Sequence, residues 1–393
     1  MRGAVVLLPC VGMSRADSAS PRRIYLIGPT GLPNFGDELL AATWLRYLAR
    51  VAPEAEVWLD CHTPGTAQVM LAGLHPNLRC TNTLWRLSTE AAPSDDPWQV
   101  AAWVRKVLHD PGMAPRCHPG VELLGQMDVV HIIGGGYVNA LWPQHVGLLA
   151  GAVAARERSG ARLALTGQGF VPHAPGSEEL LHALVAHFDV VDTRDEPSAA
   201  LLASAGAEAT CDDVFLDVPT PEQHDKARRF MVCVQSDMGA LEPPALAGRV
   251  LGLLRGWEVK SSELTFVEAI PRVDRAVYDL IAAELPDAEF VPMSALWRRG
   301  IPAAADQVWI STRFHLHLLA AAAGARGVAV SVSPDYYDTK HGSLIRLGSG
   351  WSMIDAAGTD VPAVPETGGF SADTLDMLAT MKGIVAEHVY GDR

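Results

Sequence analysis

Residues 127–136 read MDVVHIIGGG, an apolar run that ends in three glycines. A short run of this kind, closed by a glycine turn, is the pattern of a strand buried on both faces. Forward from it, GLLAGAVAARERSG (147–160) has a helical pattern and a glycine stop, and ARLALTGQG (161–169) reads as strand and turn. ELLHALVAHF (179–188) follows as a helix, DVVDTRD (189–195) as a strand and EPSAALLASAG (196–206) as a helix ending at glycine. Apolar strands alternating with helices predict a parallel sheet covered on both faces. Backward from it, IYLIG (24–28) and AEVWLD (55–60) are strand candidates. Between them PTGLPNFGDE turns into a helix carried by Leu39, Leu40, Trp44, Leu45 and Leu48, with Asp37 and Glu38 suited to its first turn. Residues 61–125 are rich in Pro, Asn and Trp and only partly legible, although WQVAAWVRKVLHD (98–110) is amphipathic.

The alternation restarts after DVPTPEQHDKAR (217–228), a polar, proline-bearing linker candidate. RFMVCVQ (229–235), ELTFVEAI (263–270), AEFVPM (288–293), QVWIS (307–311) and GVAVSVS (327–333) read as strands. LAGRVLGLLRGW (246–257), RVDRAVYDLIAAEL (272–285) and RFHLHLLAAAAG (313–324) read as helices between them. The 393 residues suit two domains at about 150 residues each. The expected architecture is therefore α/β, with two Rossmann-like domains facing a central cleft. Its expected parts are a flexible extension (1–23), a first domain (24–216), the linker (217–228), a second domain (229–365) and a terminal helical segment (366–393) able to cross back to the first domain.

Composition narrows the function classes. Lys plus Arg is 31 against 45 Asp plus Glu, a formal charge of −14, which argues against nucleic acid as a partner. A small anion needs only a local basic pocket. Six cysteines without a CxxC pair make neither a disulfide framework nor a zinc cluster, and no other metal-ligand set stands out. The hydrophobic fraction of 49% supplies sizeable cores. The apolar stretch near the amino terminus resembles a weak leader but is too short to cross a bilayer, so the expectation is a cytoplasmic protein with no stable membrane insertion.

In parallel sheets ligands bind beyond the carboxyl ends of the strands, which ranks the motifs by position. GPTGLPNFGDE (28–38) stands after the first strand and contains neither GxGxxG nor GxxxxGK[ST]. Asp37 there suits a hydroxyl or a general base better than a phosphate; the plain alternative is a first-turn aspartate. Asn34 is either a turn former or a hydroxyl contact. Gly135 and Gly136 end the 127–136 strand and offer amides to a ligand, with Tyr137, Asn139 and His145 just beyond. Arg194, at the end of another strand, can clamp a carboxylate or phosphate, or simply pair with Asp195 or Asp192. In STRFHLH (311–317), Arg313 and His315 put two cations at a helix start, which the dipole disfavours unless an anion offsets it. His315 can act as acid or base near neutrality. His317 reads as a packed helix residue. Lys340, in a loop after the next strand, adds positive charge.

Taken in order, GLPNFGDE, IIGGG, TGQG, VDTRDEPSAALLASAG, CDDVFL, STRFHLHLLAAAAG and YDTKHGSLIRLG resemble the polysaccharide pyruvyl transferase family. The resemblance implies a GT-B-like fold and transfer of the enolpyruvyl-derived group of phosphoenolpyruvate to sugar hydroxyls, forming a pyruvate ketal. It places Arg313, His315 and Arg194 at the donor and Asp37 toward the acceptor. Phe314 departs from an aliphatic position between Arg313 and His315. On this reading the catalytic residues are His315, Asp37 and Arg313. The donor is held by Arg194, Arg313, His315, Lys340, Gly135 and Gly136, and the acceptor by Asn34, Asp37, Tyr137, Asn139 and His145. Phosphoenolpyruvate is a co-substrate and no cofactor or metal is expected. The acceptor is a sugar or glycan, whether polymer, lipid-linked or small, and the terminal helix permits a homodimer. Two readings compete: a sugar-nucleotide-dependent glycosyltransferase of the same fold, and a non-catalytic glycan-binding protein.

Overall fold

The chain, seen in a computed structural model, is described over residues 21–90, 94–221, 228–239 and 241–391. Two all-parallel sheets are wound in the same order. In the first, β1 (Arg23–Ile27), β2 (Glu56–Asp60), β3 (Leu78–Thr81), β4 (Val129–Ile132), β5 (Arg162–Gln168), β6 (Val190–Thr193) and β7 (Glu208–Ala209) run β3-β2-β1-β4-β5-β6-β7. In the second, β8 (Phe230–Cys233), β9 (Leu264–Val267), β10 (Glu289–Val291), β11 (Val308–Ser311), β12 (Arg326–Ser331) and β13 (Ser352–Asp355) run β10-β9-β8-β11-β12-β13. The central strands are in close register, Ile24 lying beside Val57 and Val129, and Phe230 beside Leu264 and Val308. Strand order reverses between β1 and β4 and again between β8 and β11. Each reversal splays the flanking loops apart and opens a crevice at the strand ends. The architecture is GT-B-like, two Rossmann-type units around a cleft.

The central strands are buried end to end because helices cover both faces, which is why they read as continuous apolar runs. One apolar cluster passes through both units, joining Leu26 and Leu40 of the first to Met231, Leu319 and Ala329 of the second. The helix Phe35–Val51 begins at the seam: its first amide donates to Ala269 O of the second unit at 3.0 Å.

Residues 1–20 of the expected extension and 222–227 of the expected linker lie outside the described residues. Arg22 and Arg23 do not belong to a flexible segment. Arg22 donates to Tyr390 O at 2.5 Å, and Arg23 opens β1. The cap position of helix Phe314–Ala322 is Arg313, while Thr312 accepts from Gln235 N at 2.9 Å.

The terminal helix, Ala372–Tyr390, packs on the first sheet rather than the second. Lys382 is wholly buried there, 2.5 Å from Asp192 Oδ2 and 3.2 Å from Asp213 Oδ1. Asp213 Oδ2 accepts from Trp44 Nε1 (2.6 Å), Gly134 N (2.8 Å) and Thr166 Oγ1 (2.7 Å). Because Thr166 gives its only proton to Asp213, it can only accept from His131 Nε2, at 2.8 Å. His131 Nδ1 is then the acceptor for Tyr390 Oη, at 2.7 Å. Burial pushes His131 down to about 4, consistent with this neutral ring.

Candidate active site

The strand ends of both units meet at a cleft of about 650 Å³. The loops after β1 and β4 contribute Asn34, Asp37, Gly136, Tyr137 and His145; those after β8 and β11 contribute Asp237, Met238, Arg313 and His315. The sites expected at the two reversals of strand order thus become one site. Arg194 arrives from the end of β6 and Lys340 from the helix Thr339–Arg346 after β12.

Asp37 sits in the first turn of its helix. Asn34 caps that helix, accepting from Gly36 N at 3.2 Å, and its amide donates to Asp37 Oδ2 at 2.7 Å. Asn34 thereby holds the carboxylate. Burial raises the Asp37 carboxyl above its ordinary value, against the pull of His315, Lys340, Arg313 and Arg194. Lys340 is its counterpart: burial draws the ammonium well below its usual range, Arg194 adds to this, and Asp37 opposes it. Lys340 Nζ rests 3.5 Å from the ring centre of Tyr336, whose hydroxyl donates across the seam to Gly136 O at 2.6 Å.

The two arginines differ. Arg313 is already neutralised: Asp274 Oδ1 lies 2.5 Å from Nη2 and 3.0 Å from Nε, and Asp237 lies 3.2 Å from Nη2. Asp274 itself is held by the amides of Ala269 and Ile270 at 2.7 and 3.0 Å. The cost of a cation at this helix start is therefore offset within the protein. Arg194 is buried, with its nearest carboxylates at 3.8 Å (Asp212) and 4.0 Å (Asp195) and its Nε without a partner. Its guanidinium lies 4.6 Å over Phe314, so the residue that departs from the family pattern serves as its platform.

His315 leans across the seam onto Gly36. A Cβ at position 36 would stand 1.9 Å from His315 Nδ1, so only glycine admits the ring. His315 Nε2 faces Asp212 Oδ2 at 3.6 Å, longer than a hydrogen bond, and among the described residues neither atom makes a hydrogen bond, Arg194 Nη1 standing 3.8 Å from the same oxygen. Asp212 caps its own turn through Val214 N at 3.0 Å. Although burial opposes it, the charges of His315 and Arg194 hold the Asp212 carboxyl below its ordinary value.

The glycine turns serve differently from the expectation. A Cβ on Gly136 or Gly169 would stand 2.9 or 2.6 Å from Arg194 Nη2; these glycines make room for the arginine. Gly135 does not line the cleft. With φ at 146° it knits β4 to β5, giving its amide to Gly167 O at 3.2 Å, so that amide is not offered to a donor. Asn139 is also away from the cleft, its amide bonded to Gly136 O at 2.8 Å and its oxygen to Leu141 N at 2.9 Å. Tyr137 and His145 do line it. Tyr137 presents only its ring, since its hydroxyl donates to Ile133 O at 2.7 Å. His145 stacks on Trp142 at 6.0 Å and lies near His62, with burial lowering both histidines to about 4. The cleft thus has a cationic end and an uncharged aromatic end. The sequence reading gave no role to His62, Asp237 or Asp274, nor to Asp212 and Tyr337, which stand in the quoted segments CDDVFL and YDTKHGSLIRLG. For His62, Asp237 and Asp274 the available signal was position just past a strand end, the criterion that ranked Asp37.

Among the described residues no group of three His, Cys, Asp or Glu side chains is arranged to hold a metal ion, and no helix is long and apolar enough to cross a membrane.

Comparison with known proteins bears on this geometry. The model of the family described as polysaccharide pyruvyl transferase matches residues 34–294. No curated protein matches the chain. Among solved structures, a Listeria monocytogenes protein assigned as a UDP-N-acetylglucosamine 2-epimerase has a TM-score of 0.52 at 11% identity, over 93% of this chain and 89% of that one. The S. aureus MnaA–UDP co-structure has a TM-score of 0.50 at 12% identity, over 94% and 89%. At such identities the likeness is one of fold.

Proposed function

Because the chain belongs to the polysaccharide pyruvyl transferase family, and so is a transferase acting on sugar hydroxyls, we propose that its donor is phosphoenolpyruvate and its product a pyruvate ketal. The observation that carries this reading is the convergence of Arg194, Lys340, Arg313 and His315 around Asp37 in one cleft. A donor bearing a phosphate and a carboxylate needs separate cationic clamps, and Arg194 with Lys340 supplies them. A molecule so small leaves the aromatic end open for the acceptor sugar.

In the first step Asp37 takes the proton of an acceptor hydroxyl as its oxygen bonds to the central carbon of the donor. His315 gives a proton to the methylene carbon, which becomes the methyl group. In the second, a neighbouring hydroxyl bonds to the same carbon and the phosphate leaves with the proton that this hydroxyl loses. Arg194 and Lys340 neutralise the departing phosphate. A cytoplasmic location, where the donor is made, suits this chemistry.

Phosphate release from phosphoenolpyruvate, with vicinal- and 4,6-diol glycosides as acceptors, tests the proposal. Turnover with a new ketal carbon in the product supports it. Glycosyl transfer from nucleotide sugars, with phosphoenolpyruvate inert, overturns it.

A further inference from the structure

Asp212 lies at the seam, on the first unit just after β7, while His315 rides on the second unit after β11. Asp212 is wholly buried, and its Oδ2 has no hydrogen bond. A buried carboxylate oxygen without a partner is costly, so its surroundings matter. Among the described residues two basic side chains stand near it, His315 Nε2 at 3.6 Å and Arg194 Nη1 at 3.8 Å. His315 Nε2 is equally buried and equally without a partner. The other carboxylate oxygen is tied to Val214 N, which keeps the group from rotating away.

We propose that Asp212 is the positioning residue that holds the His315 imidazole protonated and turned toward the substrate. This rests on the reading of His315 as the proton donor. With Nε2 facing Asp212, Nδ1 lies over Gly36, which lines the cleft beside Asp37. The charges around the ring come from five elements. Asp37 faces it from the first helix, Arg194 from the end of β6, Lys340 from the helix after β12 and Arg313 from its own turn, with Asp212 at Nε2. The imidazolium must keep its proton until the transfer while Arg194 and Lys340 share its cleft and Arg313 is held by Asp274, and Asp212 is the carboxylate that faces its ring nitrogen, at 3.6 Å. Because the pair straddles the two units, a closure of less than ~1 Å converts the gap into a charge-assisted hydrogen bond of about 2.7–2.9 Å. Closing the cleft on a donor and arming the acid are then one event.

The test is Asp212→Asn, which keeps the turn-capping oxygen and removes the charge. The alkaline limb of kcat moves down by about 1–3 pH units, and KM for phosphoenolpyruvate does not rise, since Arg194 loses a competitor. Asp212→Glu restores the limb. The imidazole resonance of His315, assigned by its loss in His315→Gln, titrates lower in Asp212→Asn by a similar amount. An unmoved imidazole titration, or a kcat loss equal at every pH, overturns the proposal. The resonance is read without turnover, so a wild-type protein inert toward phosphoenolpyruvate refutes the functional reading while the spectrum still decides the role of Asp212.

Discussion

Replacing Lys382 by Met removes a charge from a site with no access to water. The ammonium lies 2.5 Å from Asp192 and 3.2 Å from Asp213 and is wholly buried. Methionine nearly keeps the volume, so the loss is electrostatic: two carboxylates remain buried without their counter-ion. Breaking a buried pair from one side costs about 3–5 kcal/mol. For a unit of roughly 190 residues each kcal/mol lowers Tm by about 2–4 °C, so the first unit should melt roughly 6–20 °C earlier. The pH dependence carries the sign. Burial already holds the Asp192 carboxyl high, despite Lys382. Without Lys382 it rises further above its unfolded value, so the folded variant binds more protons than the unfolded one and gains stability as pH falls. Calorimetry from pH 8 to 5 should therefore show the gap to wild type narrowing. Adding Asp192→Asn should recover part of the loss, a coupling between the two sites. A loss under about 1 kcal/mol, below the range of broken buried pairs, or a gap that widens on acidification, refutes the reasoning.

Gly36→Ala drives a methyl into His315 Nδ1, and a displacement of that size should lower kcat by about 10²-fold while thermal melting and phosphoenolpyruvate binding by calorimetry change little. Arg194→Ala should weaken donor binding more than Arg313→Ala, because Arg313 is already paired to Asp274 and Asp237 whereas among the described residues Arg194 has no carboxylate closer than 3.8 Å; titration of both variants with phosphoenolpyruvate measures the difference. Because burial raises Asp37 and the reaction uses its ionised form, the acid limb of the kcat profile should lie above the ordinary carboxylate range and disappear in Asp37→Asn.

The parallel core was legible because its strands are buried on both faces and are mostly apolar, single polar residues such as His131 in β4 leaving the runs readable. β3, β7 and β13 were not: all three are edge strands, and β3 and β13, reading LRCT and SMID, are largely half-buried or exposed. The cleft residues that could be read follow strands, Arg194 and Arg313 directly and Asp37 in the first turn of the helix after β1. What could not be read was pairing. Nothing local to Arg313 announces Asp274, 39 residues away, as its neutralising partner. In the same way the glycines of IIGGG and TGQG signalled close approach, but the approaching groups, Arg194 and Asp213, come from distant segments.

The terminal helix gives this molecule an order of assembly. Asp192 and Asp213 are made early, and the cation that neutralises them follows 169 residues after Asp213. At about 5–20 residues per second, the ribosome needs roughly 10–35 s to reach it. Through that interval the first unit must keep its polar centre wet, or its carboxylates protonated, while the whole of the second unit emerges. The unit that is synthesised first is thus the one completed last, and a chain stalled before residue 372 carries a second unit with its own sheet beside a first unit that still lacks its counter-ion.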